Sequence, residues 1–68
     1  MKIGALAKAT GTKVETVRYY EKIGLLPLAA RTTANYRDYG SDHLARLSFI
    51  RRARDLGFTL KALSELLT

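Results

Sequence analysis

Two short stretches of this chain carry residues that could do chemistry together. Arg18 and Tyr19 lie in Thr12-Lys-Val-Glu-Thr-Val-Arg-Tyr-Tyr-Glu21, and Tyr36 and Arg37 lie in Asn35-Tyr-Arg-Asp-Tyr39. A guanidinium can hold a phosphate through two parallel hydrogen bonds or read the acceptor edge of guanine. A phenol beside it can clamp a further phosphate oxygen and set register without reading sequence. Val14 and Glu15 open the first stretch, where valine could touch a thymine methyl and a carboxylate could accept from cytosine N4. Arg31, at the base of the second stretch, and Arg54, in the cluster Arg51-Arg52-Ala53-Arg54, are further cations suited to phosphate. Each has a plainer reading. Glu15 can serve a helix cap, Tyr36 can pack on a hairpin, Arg37 can be solvated beside Asp38, and a charge run on a helix is usually just a wet face.

The bulk composition favours the phosphate reading. The chain has 68 residues, with 12 Lys plus Arg against 6 Asp plus Glu, a formal net charge of +6. A pI near 10.1 on one small domain points to a polyanion partner. Such a length allows a single domain with a thin core. There is no cysteine, which excludes a disulfide staple and a thiolate metal site. The single histidine, His43, cannot build a metal site alone and reads as an exposed first-turn residue. No cofactor is expected in this chain. Nor is an enzyme expected: Ser41, Ser48 and Ser64 have no base near them in sequence, and glycine-rich phosphate loops are absent. The amphipathic start and the lack of a long apolar run argue against a secretory signal or a membrane span, leaving a cytoplasmic location as the simplest expectation.

The elements that must position these residues can be read from periodicity and punctuation. Ile3, Leu6 and Ala7 predict a short helix over residues 3 to 9, stopped by Gly11. Thr12 with Glu15 three residues on reads as a capping box, opening a second helix from about Lys13 to Ile23 that Gly24 and Pro27 end. At 100° per residue, Val14, Glu15, Arg18, Tyr19 and Lys22 share an outward arc, while Thr16, Val17 and Tyr20 turn toward Leu6 and Ala7. Two short helices joined by a glycine-containing turn form a helix-turn-helix, whose second helix usually enters the major groove. Thr32 to Asn35 then reads as a turn and Tyr36 to Tyr39 as a strand, which makes a two-stranded wing presenting Tyr36 and Arg37. Ser41 is the expected N-cap of a third helix running to about Leu56, apolar over more than half its circumference and hence packed on two sides. Gly57 suits a Schellman end with Phe58 folding back, and Thr59 caps a leucine-rich fourth helix. The chain stops at Thr68 with no C-cap in sight. The fold class expected is therefore mostly α: a helix-turn-helix (1–24), a wing (25–40) and a helix pair (41–68).

These residues together resemble the DNA-binding domain of the MerR family of transcriptional regulators, over essentially the whole chain. The carriers are Ile3-Gly-Ala-Leu-Ala7, Thr16-Val-Arg-Tyr-Tyr-Glu21, Gly24-Leu-Leu-Pro27, Asn35-Tyr-Arg37 with Tyr39, Phe49-Ile-Arg51 and Gly57-Phe-Thr-Leu60. The resemblance implies a winged helix-turn-helix that binds a palindromic promoter operator in double-stranded DNA as a homodimer. It also implies distortion of that DNA, which engages RNA polymerase indirectly through the promoter. By matching position, Arg18, Tyr20, Tyr36 and Arg37 would contact the backbone and Val14 and Glu15 would face bases, so Tyr20 is placed outward by the resemblance and inward by the helix arc. Family members continue into a long dimerisation helix and an effector site. The chain is accordingly expected to be an excised reader truncated before that helix, or a natural short form. Metal-responsive members place thiolate ligands mostly beyond this point, so the effector stays open. Two alternatives remain: an excisionase-like architectural DNA-binding factor, and a chaperone-modulator-like interaction module docking through Leu60, Leu63, Leu66 and Leu67.

Overall fold

The computed structural model describes residues 1–67. The elements run α1 (Ile3–Thr10), α2 (Val14–Lys22), β1 (Ala30–Arg31), β2 (Arg37–Asp38), α3 (Ser41–Asp55) and α4 (Leu60–Leu67). This is the winged helix-turn-helix with a following helix pair that the sequence pattern predicts. Thr68, where no C-cap was expected, lies outside the described residues.

α1, α2 and α3 end by the same device. After α1, Gly11 N–H donates to Lys8 O (3.3 Å) and Thr12 N–H to Ala7 O (2.9 Å). After α2, Gly24 and Leu25 donate to Glu21 O and Tyr20 O, and after α3, Gly57 and Phe58 donate to Arg54 O and Ala53 O. This paired pattern is the Schellman motif, which satisfies the last free carbonyls of a helix. The motif at Gly11 also bears on the interface: its φ is +65°, and a Cβ there would sit 3.0 Å from Arg51 Nη1.

The core has two parts joined by α3. Leu6, Ala7, Val17, Leu26, Ala29, Tyr39 and Leu47 form the first, beneath the helix-turn-helix and wing. Leu25, Ile50, Ala53 and Leu63 form the second, between α3 and α4. α3 thus packs on two sides, as its broad apolar surface predicts, though of the row Ala45-Phe49-Ala53-Leu56 only Ala53 is buried. Arg46 of α3 ties the segment after α2 and the end of α4 around the second part: Nε donates to Leu25 O (3.1 Å) and Nη2 to Leu67 O (3.4 Å).

Three local expectations are corrected. Thr12 does not cap α2; its amide is used at the end of α1, and its hydroxyl lies 3.1 Å from that of Thr10. Lys13 is the N-cap residue, in extended conformation, and no side chain caps the helix there. The three-residue turn is too short for Thr12 to serve both helices. Ser41 is likewise not the N-cap of α3, since Gly40 holds that position. Nor is His43 exposed: it is 7% accessible. Its Nδ1 accepts from Gly40 N–H (3.2 Å), and its Nε2 faces Pro27 O (3.1 Å). A carbonyl can only accept, so this pairing puts the ring proton on Nε2. Thr59 does cap α4, accepting from Ala62 N–H at 3.1 Å.

Candidate nucleic-acid interface

α2 sorts its side chains by the helical repeat. Val17 and Glu21, four residues apart, face inward and are buried, which turns Glu15, Arg18, Tyr19 and Lys22 to solvent. Val14, expected on the outward arc, is instead half-buried and packs with Ile3 and Leu44 against the first core. Tyr20 is half-buried and touches both cores, so packing and an exposed edge coexist in one side chain. Its ring lies 6.3 Å from that of exposed Tyr19.

The wing is a short antiparallel ribbon in which Ala30 pairs with Asp38 and Arg31 with Arg37. Its tip is a tight turn closed by Asn35 N–H to Thr32 O (2.9 Å), with Asn35 at φ 63°. Asparagine tolerates this left-handed conformation better than most residues. Two like charges directly opposite would destabilise the pair. Their heads take different partners: Arg31 Nη1 braces Asn35 (3.4 Å to both its carbonyl and side-chain oxygens), and Arg37 Nη1 donates to Ala29 O (2.7 Å). Arg37 is therefore half-buried rather than simply presented to solvent, while Tyr36 is exposed. The first residues run alongside: Tyr39 N–H donates to Met1 O (2.8 Å), and the Met1 ammonium meets Asp38 Oδ1 (2.8 Å) and Tyr39 O (2.7 Å).

This arrangement brings Lys2 beside the wing, with Nζ 4.8 Å above the Tyr36 ring in a cation–π contact. Between α2 and the wing lies an open cleft of about 350 Å³ walled by four cations, Lys2, Arg18, Arg31 and Arg37, with Tyr36 among its lining residues. Glu21 and Tyr39, both buried, also line it. Tyr39 hydroxyl donates to Glu21 Oε1 at 2.8 Å. Burial, and then the bond to and negative charge of Glu21, push the Tyr39 hydroxyl up to about 12, against an opposing pull from Arg37 and Arg18.

A second cleft, of about 300 Å³, lies among Lys13, Thr16, Tyr20, Arg51 and Arg54. Arg51 donates to Gly11 O and pairs with Asp55 (3.3 Å), while Arg54 Nη1 donates to Phe58 O (2.9 Å). The helix carrying the outward arc is thus flanked by two cationic clefts. An anionic strand on either side of a helix is the geometry of a recognition helix in a major groove.

Of the residues singled out in the sequence, Arg18, Arg31, Tyr36 and Arg37 line the first cleft, and Tyr20 and Arg54 line the second. Glu15 and Tyr19 are exposed on α2, and Val14 is set deeper. Sequence reasoning missed Lys2 and Lys13. Lys13 carried a usable signal, as a cation in the turn before a recognition helix; Lys2 carried none, because its place depends on the pairing of residue 1 with residue 39. Among the described residues no cluster of His, Cys, Asp and Glu could hold a metal, and no helix is long and apolar enough to cross a membrane.

Known proteins match this arrangement. The model of the MerR HTH family regulatory proteins matches residues 1–68. A ZntR homolog, an HTH-type transcriptional regulator of Haemophilus influenzae, is 55% identical over 67 residues, covering 98% of this chain and 50% of the relative. The mercuric resistance operon regulatory protein of Bacillus cereus is 47% identical, covering 97% of this chain and 50% of its own length. Among solved structures, the transcription regulator PbrR691 of Ralstonia metallidurans CH34 in complex with lead(II) has a TM-score of 0.88 at 49% identity, covering 98% of this chain and 52% of that one. HiNmlR, a MerR family regulator lacking the sensor domain and bound to promoter DNA, has a TM-score of 0.88 at 27% identity, covering 98% of this chain and 51% of its own. The chain spans about half the length of these relatives. With the family model matched from end to end and the fold shared with these regulators, the chain belongs to the MerR HTH family.

Proposed function

We propose that this chain is the DNA reader of a transcriptional regulator, placing α2 in the major groove and the wing on the adjoining phosphates. The observation that carries the reading is the pair of cationic clefts flanking the exposed arc of α2. Arg18, Arg31, Tyr36 and Arg37 take the backbone on the wing side, and Tyr20 and Arg54 take it on the α3 side. Glu15 and Tyr19 face the groove, with Val14 at its edge. The full protein acts as a homodimer on a palindromic promoter operator, distorts that DNA, and reaches RNA polymerase through the promoter in the cytoplasm. The mercuric resistance operon regulatory protein and the lead(II) complex of PbrR691 among the similar proteins favour a heavy-metal effector for the whole protein. Regulator relatives favour this reading over the excisionase-like and chaperone-modulator-like alternatives.

The test is fluorescence anisotropy with a labelled mixed-sequence duplex across a salt series. Each phosphate contact adds about 0.9 to the slope of log K against log salt. Arg18→Ala and Arg37→Ala should each weaken binding and flatten that slope by about one. A native slope near zero, or unchanged slopes in both variants, refutes the reading. Because a single module lacks the avidity of paired half-sites, native affinity should be weak.

A further inference from the structure

The cationic cleft contains one group of the wrong sign. Glu21 is 8% accessible, and only one of its oxygens is used, accepting from Tyr39. The other, Oε2, is buried with no hydrogen-bond partner among the described residues. A carboxylate costs free energy when desolvated with incomplete partners, and a negative charge facing a DNA site should by itself repel phosphate. Residue 21 is nonetheless built in, tied through Tyr39 to the wing.

Three cations near it have other ties or lie on other elements. Arg37 has one nitrogen on Ala29 O, Arg31 braces Asn35, and Lys2 sits over Tyr36. Arg18 is the cation that shares α2 with Glu21, one turn earlier, at the spacing where side chains on a helix meet. It is exposed, it lines the same cleft, and no hydrogen bond or ion pair engages it among the described residues. A planar guanidinium can bond a carboxylate with one edge and a phosphate with another.

We infer that Glu21 is a positioning residue for DNA binding: when a phosphate enters the cleft, Oε2 receives the Arg18 guanidinium from behind, so that its other edge meets the phosphate. This rests on the DNA-reading function above. The carboxylate then removes the freedom of a long side chain at the moment of binding, and its own buried oxygen gains a partner. Its tie to Tyr39 holds this seat at a fixed place relative to the wing.

The sign of the effect separates this from plain electrostatics. Glu21→Gln keeps the shape and an acceptor for Tyr39 while removing the negative charge. Long-range Coulomb attraction alone would make that variant bind a labelled mixed-sequence duplex more tightly. Positioning makes it bind roughly tenfold more weakly at low salt, the size of one charge-assisted hydrogen bond. The double variant completes the cycle. In the Arg18→Ala background, Glu21→Gln should weaken nothing further, because the residue it acts through is gone. Tighter or equal binding by Glu21→Gln in the native background, or an equal loss in both backgrounds, overturns the proposal while leaving the DNA reading intact. No salt-dependent binding by the native chain sinks the DNA reading, and the proposal with it. Should Glu21→Gln lose its helical circular dichroism, Arg18→Lys decides. It keeps the charge but not the two-edged geometry, so a several-fold loss supports the seat and native affinity overturns it.

Discussion

Replacing Tyr39 by phenylalanine removes one oxygen atom and tests the buried bond that joins α2 to the wing. Its hydroxyl donates to Glu21 Oε1 at 2.8 Å, and the residue is 2% accessible. Without it, both Glu21 oxygens lack the partners that a buried carboxylate needs. Leaving a charged acceptor unsatisfied costs about 1–3 kcal/mol or more. Because the acceptor is charged, the upper part of that range applies, roughly 2–3 kcal/mol, in a chain whose total stability should be roughly 3–10 kcal/mol. For a domain this size, that lowers the melting temperature by roughly 10–20 °C. Burial first, and then Glu21, raise the phenol from 10.0 to about 12, which at about 1.4 kcal/mol per decade is about 2.7 kcal/mol against ionising it in the folded state. The sign with pH follows from linkage. The folded phenol holds its proton more tightly than the unfolded one, so its contribution is complete below pH 10 and is lost as pH rises from about 10 to about 12. Thermal or urea melts followed by circular dichroism should show the native chain more stable than Tyr39→Phe at neutral pH. That gap should close between about pH 10 and pH 12. Equal melting temperatures at neutral pH, or a gap that stays constant through the alkaline window, would refute the account of this bond.

Other perturbations probe separate links. Gly11→Ala should cost about 1–2 kcal/mol in urea melts, because φ +65° is unfavourable for a side chain and its Cβ would press on Arg51; Gly11→Asn should cost less. Leu63→Ala, at a site with no exposure in the second core, should cost about 2–5 kcal/mol and leave a measurable unfolded fraction by circular dichroism at room temperature. Arg37→Ala should lower stability as well as DNA affinity, since its guanidinium holds Ala29 O, whereas exposed Arg18→Ala should leave the melting temperature nearly unchanged. Equal melting temperatures in those two arginine variants would show that the Ala29 bond adds nothing to the wing.

Much of the architecture could be read in one dimension because its signals are local. Gly11, Gly24 and Gly57 each follow an apolar-periodic stretch and end a helix there through contacts within six residues. Thr32 to Asn35 is a turn because that short segment closes on itself, and Thr59 caps α4 from three residues away. The outward set Glu15, Arg18, Tyr19 and Lys22 follows from the helical repeat alone. The misreadings arose where other partners, neighbouring or distant, compete for a local group. Thr12 looked like a cap, but the end of α1 uses its amide. His43 looked exposed, but Pro27, far upstream, offers its ring a carbonyl and the Tyr39 ring meets it edge-on. Val14 shares an arc with Arg18 on a helical wheel, yet it packs against the first core and is half-buried.

By itself, then, the sequence determined the helices, the turn, the basic character and the residue types able to meet phosphate, since each depends on neighbours within a turn or two of chain. Only the tertiary structure decided that Lys2 joins Arg18 and Arg37 in one cleft, that Arg37 spends part of its guanidinium on Ala29, and that Glu21 lies buried beneath Tyr39 among those cations. These are contacts between segments up to 38 residues apart. Their partners are chosen by which groups packing brings together and which polar atoms burial leaves in need of one, and neither is written in the spacing of residues along the chain.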